Sequence, residues 1–160
     1  MTTYQEELMP PLAENLVADD FILKTDITWE STGGLVTCGF NFRAEPNFEE
    51  GKQYRFEMFR LSGLPAFWIS YLRYGFYEQD LAPWDTSSAI NQDQGATNEV
   101  ILFAEDGKFT LYINDQRIGQ FFDYSEKLVD GYLSYYAWQE SGESTCQFDK
   151  TWIWLIEEED

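Results

Sequence analysis

"EDGKFTLYINDQRIGQFFD", residues 105–123, reads as two strands around two turns. Asp106-Gly107 and Asn114-Asp115 are turn dipeptides, because Gly, Asn and Asp tolerate the left-handed backbone of tight turns. Between them Phe109, Leu111 and Ile113 alternate with Thr110 and Tyr112. Successive side chains of a strand point to opposite faces, so this alternation predicts one face turned to a core. Beyond the second turn, Ile118 and Phe122 continue the apolar alternation.

The same period of two extends to both sides. In "FILKTDITWE" (21–30), Phe21, Leu23, Ile27 and Trp29 share a face, with Lys24, Asp26, Thr28 and Glu30 opposite. "STGG" (31–34) turns into "LVTCGFNFRA", where Val36, Cys38, Phe40, Phe42 and Ala44 share a face. "QYRFEMFRL" (53–61) sets Tyr54, Phe56 and Met58 against Arg55 and Glu57. After "SGLP", the run "AFWISYLRYGFY" is apolar on both sides, as in a strand covered on both faces. Residues 78–98 lack clear periodicity and are expected as a long, functional loop. "GYLSYYAWQ" (131–139), the turn "ESGES" and "TCQFDKTWIWLIE" (145–157) complete the set. About ten short strands with regular turn signals and no sustained helical period predict an all-β, two-sheet antiparallel sandwich.

Composition agrees. The chain has 160 residues, the size of one domain, with 6 Trp, 10 Tyr and 13 Phe. Large flat side chains suit pleated surfaces. The reading places a loosely packed leader at 1–19, the domain at 20–156 and an acidic tail at 157–160. The formal charge of −19 excludes nucleic acid and anionic membrane as direct partners. The acids are scattered, which fits a solvated surface more simply than a cation site. The absence of His removes Ser-His-Asp and Cys-His nucleophiles and His-bearing zinc sites. No apolar run approaches a membrane span, and residues 1–20 lack the apolar centre of a signal peptide. The chain is therefore expected to be cytoplasmic, or a trimmed piece of a longer exported protein.

A family resemblance rests on several strings in order: "FILKTDITWES", "CGFNFRA", "YRFEM", "TNEVILFAEDGKFTLYINDQRIGQFFD", "DGYLSYYAW" and "CQFDKTWIW". Together they resemble the LamG-like, concanavalin A-like jelly-roll modules. The likeness is nearest to the 3-keto-disaccharide hydrolase-like domain of bacterial surface and multidomain proteins. Asn98, the run 107–114, the run 131–137, Phe148-Asp149 and Ile153-Trp154 occupy that family's motif positions. The family's Asn-Gly turn is Asn114-Asp115 here, and Ser134 replaces a Gly. The resemblance implies a jelly roll. It carries over no activity, because catalytic jelly rolls of the laminarinase type use an E-x-D-x-x-E strand absent here. Glu99 and Glu105 would stand about 20 Å apart along one strand, too far to flank one bond.

Sugars stack on exposed aromatic rings beside hydrogen-bonding groups. The family pattern turns Leu133, Tyr135 and Ala137 inward and leaves Tyr132, Ser134, Tyr136 and Trp138 outward. With Tyr71, Arg73 and Trp84 these make a candidate glycan site on a concave sheet face. The alternative is that the leader and the long loop cover the rings, or that they bury against a partner protein. No cofactor is expected, although Asp80, Asp85, Asn91 and Asp93 are weak calcium candidates. Cys38 and Cys146 share parity with core-facing residues. They form either a disulfide, which would indicate an extracytoplasmic or cell-surface location, or two buried thiols.

Overall fold

The computed structural model describes residues 2–4, 7–31, 35–61, 64–139 and 142–157. Parts of three expected turns (32–34, 62–63 and 140–141) and the end of the acidic tail (158–160) lie outside the described residues. The described residues contain strands and no helix. The strands are β1 (Thr2–Tyr4), β2 (Glu7–Leu8), β3 (Phe21–Ser31), β4 (Leu35–Ala44), β5 (Gln53–Leu61) and β6 (Leu64–Arg73). They continue as β7 (Phe76–Thr86), β8 (Thr97–Glu105), β9 (Lys108–Ile113), β10 (Gln116–Phe122), β11 (Tyr132–Trp138) and β12 (Glu143–Leu155). Two antiparallel sheets pack as a sandwich, in the orders β1-β12-β3-β8-β9-β10 and β2-β11-β4-β5-β6-β7.

The core is the sum of the alternating faces. Phe21, Leu23, Ile27 and Trp29 of β3 and Phe109, Leu111 and Ile113 of β9 are fully buried from the first sheet. Phe40 and Phe42 of β4 and Tyr54, Phe56 and Met58 of β5 meet them from the second. Phe42 is the aromatic centre, with ring centroids 5.5 Å from both Tyr54 and Phe109. Cys38 and Cys146 form a disulfide that ties β4 to β12, one strand from each sheet. Asp123, buried after β10, accepts hydrogen bonds from the Tyr54 and Ser125 hydroxyls and the Lys127 amide. Burial alone would raise its pKa, but these donors outweigh it and hold the carboxyl at about 2.

Three local expectations change. In β10 a bulge between Arg117 and Gly119 shifts the register, so Phe121 packs on the core and Phe122 faces solvent. Residues 78–86, expected in a loop, continue β7. This edge strand pairs with β6 through three register shifts, which erase any period, and it accommodates Pro83 because its outer edge needs no donor. Finally, residues 7–18 are stitched along β11 rather than packed loosely. Leu8 pairs with Ala137, Pro11 bridges Ser134, and Ala18 bridges Gly131. The free edge of β11 carries donors and acceptors that this segment satisfies, as at Leu12 N to Leu133 O.

Candidate functional site

Both faces of β6 are apolar, so periodicity alone does not orient it. Pairing does. Tyr54, Phe56 and Met58 of β5 stand opposite Tyr71, Ile69 and Phe67. Tyr71 therefore points into the sandwich, against Tyr54, and not onto the outer face assigned to it from sequence. The outer face of β6 is Trp68, Ser70 and Leu72.

On that face the second sheet carries an open groove of about 230 Å³. One row of it crosses four strands: Tyr136 of β11, Gly39 of β4, Glu57 of β5 and Trp68 of β6. A Cβ on Gly39 would collide with the Phe56 carbonyl, so the floor between Tyr136 and Glu57 is bare backbone. Half-buried rings of Phe59, Trp68 and Trp138 line the groove, with Tyr77 at one end. Trp68 is fixed by donating Nε1–H to Asp80 at 2.6 Å and by the Tyr77 ring at 5.3 Å. Trp84 sits beside Phe59, with 6.5 Å between centroids.

A polar chain sets the charges beneath the rings. Asn41 Nδ2 donates to Ser134 Oγ at 2.8 Å, and Arg55 Nε donates to Asn41 Oδ1 at 2.7 Å. The Arg55 guanidinium lies 3.9 Å from the Tyr136 ring centroid, and the Tyr136 hydroxyl donates to Glu7. Glu57 is only 7% exposed, lines the groove, and has no hydrogen bond or ion pair among the described residues. Desolvation pushes its carboxyl from 4.5 up to about 7, with Arg55 opposing and Glu7 reinforcing the shift.

This gives a stability signature. A carboxyl whose folded value is raised costs the folded state increasingly as pH climbs from about 4.5 through about 7. Glu57→Gln is expected to stabilise the ligand-free protein at about pH 8 and to leave it unchanged near pH 4, read from urea unfolding at both values. Equal effects at the two pH values would mean that the carboxylate already has a counter-charge.

Of the site residues proposed from sequence, the groove gathers Tyr136 and Trp138, with Ser134 buried beneath and Trp84 at its margin. Tyr132 lines a separate hollow with Pro11, Asn15 and Phe48. Arg73 lies at the exposed β6–β7 tip, paired with Glu78. Three of the four calcium candidates make side-chain contacts within the chain. Asp80 holds Trp68, Asp85 binds the Thr86 amide, and Asn91 takes the Asp93 amide. No metal-holding group of three His, Cys, Asp or Glu is present among the described residues. Arg55, Glu57 and Trp68 also belong to the groove, although the alternation of their strands gives them no site role. The β5–β6 register was the signal that would have placed all three.

The architecture defines a jelly-roll β-sandwich of the kind found in lectins and carbohydrate-binding modules. The solved structures it resembles include the carbohydrate-binding module CBM66 from Bacillus subtilis, with a TM-score of 0.67, 16% identity and 91% of each chain covered. Sheep galectin-11 aligns with a TM-score of 0.60 at 13% identity, over 95% of this chain and 98% of its own. A glycosyl hydrolase-like protein from Parabacteroides distasonis aligns with a TM-score of 0.57 at 14% identity, over 89% of this chain and 75% of its own. No family model and no curated protein sequence matches the chain.

Proposed function

We propose that this chain is a non-catalytic recognition module that binds carbohydrate in the groove on the outer face of the second sheet. The observation that carries this reading is the juxtaposition of rigidly held, half-exposed rings with buried polar groups in one groove. Rings stack on the apolar faces of sugars, and Arg55 and Glu57 offer a donor and an acceptor for hydroxyls. The fold likeness to a carbohydrate-binding module and to a galectin supports the reading, as does the sequence resemblance to LamG-like modules. The disulfide supports an oxidising compartment, on a surface or in a multidomain protein. Glycosidase chemistry is less well supported, because the sequence has no paired-carboxylate strand motif of the kind that flanks a glycosidic bond.

The test is a glycan array followed by titration calorimetry of the purified chain. Trp68→Ala is expected to weaken binding by about a hundredfold, the effect of losing a central aromatic anchor. Trp152→Ala, on the opposite sheet, leaves it unchanged. If Trp152→Ala abolishes binding and Trp68→Ala does not, the site is on the wrong face. A second reading, an interaction domain without a small ligand, is favoured by one feature: the exposed, stacked pair Trp152–Trp154. Absence of binding to any glycan would move the weight there.

A further inference from the structure

The groove carries a buried carboxyl group that a neutral sugar does not require. A carboxylate as buried as Glu57 ordinarily has a partner, because desolvating an unpaired charge is costly. The groups that face it are few. Arg55 lies two residues away on β5, Glu7 comes from β2, Tyr136 from β11, and Trp68 from β6. The floor from β4 is Gly39, which has no side chain. Arg55 tempers the charge without pairing with it, since its Nε is bonded to Asn41 and its plane covers Tyr136. Glu7 adds a second negative charge. A compact cation able to pack beside aromatic rings would complement such a carboxylate.

We propose that the groove selects a sugar bearing a protonated amine, with its ring stacked on the tryptophans and its ammonium seated against the Glu57 carboxylate. The proposal rests on the carbohydrate reading above and adds the class of sugar. An ammonium brings donors only, and the carboxylate accepts only, so the two complement each other without rearranging the groove. Trp68, half-exposed on the groove wall, offers an aromatic surface that favours a cation once water is displaced. The chain's charge of −19 raises the local concentration of cationic sugars and disfavours uronic or sulfated ones. Pairing requires ionised Glu57, so the preference fades as pH falls through about 7.

The probes are glucosamine, N-acetylglucosamine and glucose oligomers of equal length and linkage, titrated calorimetrically in physiological salt. At about pH 6.5, where a good share of the sugar amines is protonated and part of Glu57 is ionised, the amine oligomer is expected to bind at least several-fold more tightly than the other two, as a charge-assisted contact provides. At about pH 5.5 the preference shrinks, and in Glu57→Gln it disappears at both pH values. The other acidic residues remain in that variant, so general attraction to an acidic surface would survive it. Equal affinity for all three sugars, or a preference that persists in Glu57→Gln or at low pH, overturns the inference and leaves the carbohydrate reading standing. Binding of none of them at either pH overturns both. The pH series on the parent protein stands as a second measurement should the variant fold poorly.

Discussion

Arg43→Met is expected to destabilise the domain by about 3–5 kcal/mol, the cost of emptying a buried ionic hub while its partners stay behind. Arg43 is 1% exposed. Its guanidinium donates to the carbonyls of Asp19, Asp106 and Leu128 and to the Asp20 carboxylate, with Nη2 to Oδ1 at 3.2 Å. The same group lies 5.3 Å from the Phe109 ring centroid. One side chain thus holds the entry to β3, the β8–β9 turn and the loop before β11. Methionine fills part of the volume and satisfies none of the acceptors, and each buried acceptor left unpaired costs its desolvation. Burial opposes the charge and lowers the guanidinium's affinity for its proton, while Asp20 opposes that shift. Arg43→Lys should fall between the two, because an ammonium has no planar fork with which to reach several carbonyls at once. The melting temperature of Arg43→Met should drop by roughly 10 °C or more. Hydrogen exchange should speed up together at residues near 19, 106 and 128. A shift of less than about 1 kcal/mol would mean that the three loops are held by their own backbone contacts.

Arg43 also marks the boundary of what a sequence discloses. The core faces of β3, β4, β5 and β9 were legible because one side of each strand is buried, and burial imposes a strict alternation. Where both sides are apolar, as in β6, the alternation vanishes and only the neighbour's register decides. Hence the alternation of β6 does not reveal that Tyr71 faces inward and Trp68 outward. Bulges defeat the pattern differently: one extra residue in β10 exchanges the roles of Phe121 and Phe122 without changing composition. Arg43 and Glu57 are harder still. Each reads locally as a polar residue on the solvent face of its strand. Arg43 is buried by segments far away in the chain, and Glu57 by rings from β6 and β11 together with the segment around Glu7. The groove was visible in outline through Tyr136 and Trp138, and invisible in its charge.

Reducing the disulfide is expected to cost about as much as removing Arg43, by a different route. Cys38 and Cys146 are 108 residues apart in sequence, so the bond removes a large share of the unfolded chain's freedom. The chain-entropy argument gives about 4–5 kcal/mol for a loop of this length. A domain stable by about 5–15 kcal/mol would keep only part of its margin. Two measurements separate the crosslink from the packing of the sulfurs, which are fully buried. Reduction keeps both sulfurs in place, so the reduced protein reports the crosslink alone. The Cys38→Ala, Cys146→Ala double variant loses volume as well and should fall further. In urea, the reduced protein should show a lower midpoint and a steeper slope, because its unfolded state expands and exposes more surface. A midpoint unchanged by reduction would mean that the sandwich is held by its core alone. The bond also bears on recognition, since Cys38 adjoins Gly39, the bare floor beneath Glu57 and Tyr136. If the crosslink fixes that floor, sugar affinity should fall on reduction under conditions where the fold persists. Redox state would then set both the domain's lifetime and the shape of its groove.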